Sequence, residues 1–121
     1  MAKRILVVDD SKAVRESVSY VLDQAGYEIV QAVDGADAIT KLDGTHFDLV
    51  VTDVNMPNMD GIELTASIRA LDAYKFTPVV VLTTESQQSK MSAGKEAGAT
   101  GWIVKPFNSD KLLQVVKRLA G

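Results

Sequence analysis

Five short runs of β-branched and apolar residues recur along the chain, each followed by a segment of helical periodicity. The runs fall at 5–8, 27–32, 49–52, 79–83 and 101–105. Runs this short and this apolar read as strands buried on both faces of a parallel sheet. Strand 27–32 is more mixed in polarity, which places it at an edge. Ser11 precedes a first helix with Val14, Val18, Val21, Leu22 and Ala25 along one face, and Gly26 ends it. Asp34 caps a second helix that runs to about Asp43, with Gly44 closing it. Asp60-Gly61-Ile62-Glu63 has the form of a capping box, opening a third helix whose inner face is Leu64, Ile68 and Leu71. Pro78 punctuates before the fourth strand. A fourth helix is expected over 86–97, closed by Gly98. Asn108 or Ser109 caps a fifth, with Leu112, Val115, Val116 and Leu119 inward.

Five strand–helix units in a row predict an α/β fold with right-handed crossovers and helices on both faces of the sheet. The expected architecture is a flavodoxin-like (βα)5 doubly wound sandwich with five parallel strands in the order 2-1-3-4-5. That order makes strands 1 and 3 neighbours at the switch point, where ligands bind outside the carboxyl ends of the strands. Asp9 and Asp10 follow the first run and Asp53 follows the third, so all three acids meet there. Thr83 and Lys105, at the ends of strands four and five, overhang the same pocket. Like charges held a few ångströms apart raise one another's pKa, a cost that packing alone would not justify. A hard divalent cation relieves it, and Mg²⁺ takes carboxylate, carbonyl and water oxygens.

Composition excludes several classes. A chain of 121 residues, 46% hydrophobic and 24% charged, fits one soluble globular domain. A net charge of -3 argues against general affinity for nucleic acid, and the lysines at 90, 95, 111 and 117 read as a solvated face. The absence of cysteine excludes disulfides, thiolate zinc sites and a thiol nucleophile. The apolar stretch before Asp9 is too short for a signal peptide and no run approaches a membrane span, so the expected location is the cytoplasm. Neither a Gly-rich phosphate loop nor a nucleotide fingerprint occurs, so ATP is not the expected donor. His46, the only histidine, sits in a helix-to-strand connection with no partner for metal or triad chemistry.

Asp9-Asp10, Asp53-Val54-Asn55-Met56-Pro57, Thr83-Thr84-Glu85 and Lys105-Pro106-Phe107, each after the expected strand, together resemble the response-regulator receiver domain. The resemblance covers the whole chain, residues 1–121, as a single receiver with no output domain. Within the family the likeness is to chemotaxis regulators of the CheY type, through Asn55-Met56-Pro57-Asn58-Met59-Asp60-Gly61 and Val104-Lys105-Pro106-Phe107.

The resemblance implies a role for each residue. Asp53 is the phosphoacceptor, attacking phosphorus to form an acyl phosphate. Mg²⁺, with Mn²⁺ as a substitute, is held by Asp10, Asp53 and the backbone carbonyl of Asn55, and by Asp9 through a water. Lys105 supplies a compact positive charge to a phosphoryl oxygen, and its bond to Pro106 is cis. Thr83 donates to the phosphoryl group and Trp102 is the aromatic switch, reshaping a face made by helix four, strand five and helix five. Asn55 and Glu85 tune attack by water on the phosphorylated state. Helix four offers only Met91, Ala93, Gly94 and Ala97 inward, which suits a surface that rearranges. The implied partners are a CheA-like histidine kinase, a downstream target such as the flagellar motor switch, and a phosphatase. The protein is expected to be a monomer that catalyses only its own phosphorylation and dephosphorylation. A receiver in a non-chemotaxis phosphorelay is the alternative. An aspartyl-nucleophile phosphatase would want a second acid where Asn55 stands. A flavodoxin-like cofactor binder would want hydroxyl-rich residues where Asp9-Asp10 stand.

Overall fold

The computed structural model describes residues 2–84 and 91–120, the side chains of 91 and 92 excepted. Its elements are β1 (Arg4–Val8), α1 (Lys12–Gln24), β2 (Glu28–Ala32), α2 (Gly35–Lys41), β3 (Leu49–Asp53), α3 (Gly61–Ala70), β4 (Val79–Thr84), α4 (Met91–Ala97), β5 (Gly101–Lys105) and α5 (Ser109–Ala120). A 3-10 turn, Asp72–Tyr74, links α3 to β4. The five strands pair in parallel in the order β2-β1-β3-β4-β5. This is the flavodoxin-like order expected from the alternation of runs.

Alternate residues of each central strand enter opposite cores. Ile5 and Val7, Leu49 and Val51, Val80 and Leu82, and Ile103 pack beneath α1 and α5 against Val18, Leu22, Leu112, Val115 and Val116. Leu6, Val8, Val50, Val79 and Val81 pack on the other face with Ala38 of α2 and Leu64 and Ile68 of α3. Each fully buried side chain of this size contributes about 1.5–3 kcal/mol, so a continuous apolar run is what a two-faced strand needs.

The helix signals are met by named bonds. Ser11 Oγ accepts from the Val14 amide at 3.3 Å, and Asp34 Oδ1 accepts from the Asp37 amide at 2.8 Å. Both halves of the Asp60–Glu63 capping box form. Asn108 is the cap of α5, its Oδ1 accepting from the Lys111 amide at 2.8 Å. Gly26 (φ 96°) and Gly98 (φ 104°) take the left-handed conformation that ends α1 and α4.

Several details differ from the sequence reading. Helix α2 stops at Lys41 rather than near Asp43, because Leu42 turns its side chain into the core as the C-cap. Asp43 instead organises the next turn, accepting from the Thr45 amide and hydroxyl. Ala25 and Ala93 are exposed, while Ser19 is buried on α1. Alanine has too little surface to mark a face. The expected start of the fourth helix, 86–90, lies outside the described residues. No helix among the described residues is long and apolar enough to cross a membrane.

Candidate functional site

The parallel register brings the strand ends level. Asp53 pairs with Leu82, Thr83 with Val104 and Thr84 with Lys105, so β3, β4 and β5 deliver their last side chains to one rim. Asp9 and Asp10 leave β1 directly beside β3. Carboxylate oxygens of Asp9, Asp10 and Asp53 lie within 4.8 Å of one another. Asp9 and Asp53 are buried and Asp10 is exposed, so the cluster is an acid pocket open on one side.

Lys105 is the counter-charge. Its Nζ lies 2.9 Å from Asp53 Oδ1 and 3.8 Å from Asp9 Oδ2. One ammonium among three carboxylates leaves the pocket short of positive charge. Asp9 carries the largest consequence. Burial pushes its carboxyl above the ordinary 3.8, the Ser11 amide holds it down through a 2.9 Å bond to Oδ1, and the charge of Asp53 raises it again. Asp9 Oδ2 is buried with no hydrogen-bond donor, only the Lys105 ammonium at ion-pair distance. A buried carboxylate oxygen without a donor fits a site built for a cation.

Of the remaining expected residues, Asn55 borders this pocket. Asn55 is exposed and lines, with Asp10, Met56, Pro57 and Asp60, a cleft at the open side. Thr83 is fully buried, and its hydroxyl donates to the Thr84 carbonyl at 3.3 Å. Trp102 is half-buried on the face of β5 turned toward α4, three residues before Lys105. The Lys105-Pro106 bond is cis. Glu85 lies outside the described residues. His46 is away from the pocket, its Nε2 3.0 Å from Asp48 Oδ1.

Three further residues shape the pocket and escaped the sequence reading. Arg15 reaches back from α1, donating Nη1–H to the Asp9 carbonyl at 2.9 Å and Nε–H to Gln31 Oε1 of β2 at 3.0 Å. Ser11 holds Asp9 through its backbone as well as capping α1. At Gly61 a Cβ would overlap the Asp53 carbonyl oxygen, so only glycine lets α3 start this close to the end of β3. The Gly61 signal lay in plain view, inside the segment read only as a capping box.

The sequence matches the family described as the response regulator receiver domain over residues 5–117. The chain belongs to that family. Such receivers are signalling phosphoacceptors of two-component systems. Among solved structures, the chemotaxis protein CheY4 of Vibrio cholerae superposes with a TM-score of 0.93 at 45% identity, covering 98% of this chain and 99% of that one. The response regulator TrrA of Thermotoga maritima, solved in complex with Mg²⁺ and BeF, gives a TM-score of 0.85 at 37% identity, covering 97% and 98%. Protein PilG of Pseudomonas aeruginosa is 32% identical over 94% of this chain and 84% of its own length. Two other curated relatives are longer, and the chain spans 17% and 49% of them. The 45% identity and near-complete mutual coverage with CheY4 place this receiver with the CheY type.

Proposed function

We propose that Asp53 accepts a phosphoryl group from a phosphohistidine kinase, and that the modified receiver signals through its α4-β5-α5 face. The observation that carries the reading is the Asp53 carboxylate, buried at a strand end, in contact with Lys105 and crowded by Asp9 and Asp10. The carboxylate oxygen forms a bond to phosphorus while the phosphorus–nitrogen bond of the donor breaks, and the departing imidazole keeps the electron pair and takes up a proton. Such a transfer is mostly positioning and charge neutralisation, which rigid strand ends supply. Lys105 follows the negative charge from carboxylate to phosphoryl oxygen without leaving its place. Asp10, Asp53 and the backbone carbonyl of Asn55 would hold Mg²⁺, with Asp9 acting through a water, and Mn²⁺ would serve in its place. The bound cation offsets the carboxylate charges that otherwise repel an anionic donor.

Asn55 stands at the lip of the cleft, where a small polar side chain admits a water to the acyl phosphate. The phosphorylated state is therefore short-lived, and Asn55→Lys is expected to slow its decay without preventing its formation. Decay of ³²P label that is unchanged in Asn55→Lys removes this role. Thr83 would exchange its bond to the Thr84 carbonyl for one to the phosphoryl group, drawing the end of β4 inward. Trp102 would then follow, changing what a partner meets at α4 and β5.

Chemotaxis is the favoured pathway, on the 45% identity and near-complete mutual coverage with CheY4. A CheA-like kinase and a motor-type target would be its partners. The site is tested by weighing intact protein after incubation with acetyl phosphate and Mg²⁺. Wild type gains the phosphoryl mass, while Asp53→Asn, or wild type with EDTA, does not. Equal labelling of Asp53→Asn would move the acceptor elsewhere.

A further inference from the structure

Position 94 is the only one of the described side-chain positions 93–97 in α4 that is buried, and it carries a glycine. Glycine in a helix interior is unfavourable, so something other than helix formation keeps it there. The reason is across the interface. A Cβ built at Gly94 would lie 2.6 Å from Trp102 Cζ3, 3.4 Å from Cε3 and 3.5 Å from Cη2, so the six-membered ring of the indole rests on bare backbone. Contacts of about 3.4–3.5 Å are ordinary, but 2.6 Å cannot persist, and one partner must move.

The helix is poorly placed to yield. Arg69 of α3 donates Nε–H and Nη2–H to the Gly98 carbonyl at 3.1 and 2.8 Å, and Nη1–H to the Thr77 carbonyl at 2.6 Å. Those bonds fix the C-terminal end of α4 to α3 and to the entry of β4. The indole is the freer partner. Its Nε1–H is buried without a hydrogen-bond acceptor, so the seat is held by packing alone and a polar group has lost its water in taking it. A small cavity lined by Lys95, Ala99, Thr100 and Gly101 borders the ring.

We propose that Gly94 is a positioning residue for Trp102, and that the missing side chain at 94 sets how much of the time the ring lies against α4. Reading the ring position as part of the signal rests on the switch described above; the seat itself rests on the contact alone. The two positions are matched in size, so a larger residue at 94 requires a smaller one at 102.

A double-mutant cycle with a spectroscopic readout tests it. Gly94→Ala is made in wild type and in Trp102→Val, and urea midpoints are measured for all four proteins. In Trp102→Val the alanine is expected to raise the midpoint, as it does in an ordinary helix. In wild type it is expected to lower it. Trp102 is the only tryptophan, so its emission in Gly94→Ala is expected to shift to the red and its quenching by acrylamide to increase. If Gly94→Ala raises the midpoint equally in both backgrounds with quenching unchanged, or fails to fold in both, the seat is overturned. Acetyl phosphate labelling of wild type, and its emission change with beryllium fluoride and Mg²⁺, are recorded alongside. Their absence would contradict the proposed function while the cycle still decides the seat.

Discussion

Helices α5 and α4 flank the same strand and are built to opposite specifications. Helix α5 buries Leu112, Val115, Val116 and Ala120 against the face of β5 that carries Ile103. Among positions 93–97 of α4, only Gly94 is buried, and it meets Trp102 on the other face of that strand. One helix is welded by large apolar side chains and the other rests on an aromatic ring. Strand β5 thus has a fixed side and an adjustable side, and it ends on Lys105 in the acid pocket. The difference teaches where a change of charge at Asp53 can be felt. The well-packed side resists it, and on the other side the Trp102 ring, seated by packing alone, has little free energy holding it in one place.

The largest effects come from truncating the fixed side. Leu112→Ala is expected to destabilise by about 2–4 kcal/mol, the ordinary cost of a fully buried leucine. Ala97→Gly in α4 is expected to cost no more than about 1 kcal/mol, the loss of helix propensity. Urea denaturation measures both, and equal losses would break the comparison.

The acid pocket offers a smaller effect of opposite sign. Burial raises the Asp9 carboxyl, so the folded chain keeps that proton to a higher pH than the unfolded chain does. Ionised Asp9 therefore costs stability above its folded value, and the cost is relieved as pH falls toward the ordinary 3.8. Asp9→Asn is expected to stabilise the metal-free protein by about 1 kcal/mol at neutral pH, with the gain shrinking on acidification. Saturating Mg²⁺ is expected to stabilise wild type more than the variant, because binding to the native state alone adds to its stability. A variant less stable than wild type at neutral pH without metal would show that the pocket is not under this strain.

How much of this could be read in the sequence depends on the range of the interaction. The strands and the caps at Ser11, Asp34 and Asp60 are legible because each is written within a few residues, and the 2-1-3-4-5 order follows from the succession of five strand–helix units. Topology then gathers Asp9, Asp10, Asp53 and Lys105 without any contact having to be guessed. Long-range fits are not written locally. Gly94 reads as a weak helix residue until the Trp102 ring is seen on it. Gly61 reads as part of a cap until the Asp53 carbonyl is seen against it. Arg15 reads as a surface charge until it is found holding the Asp9 carbonyl. The spacing points Ala25 and Ala93 inward although both are exposed, because a methyl group is too small for spacing to decide.

Hydrogen exchange with and without beryllium fluoride and Mg²⁺ tests the central claim most directly, because it reads the two helices in one protein. Filling the pocket is expected to change exchange in α4 and in the segment around Trp102 while leaving the buried amides of α5 as they were. The same ligands added to Asp53→Asn are expected to change neither. Equal changes in α4 and α5, or a full response in Asp53→Asn, would contradict the account.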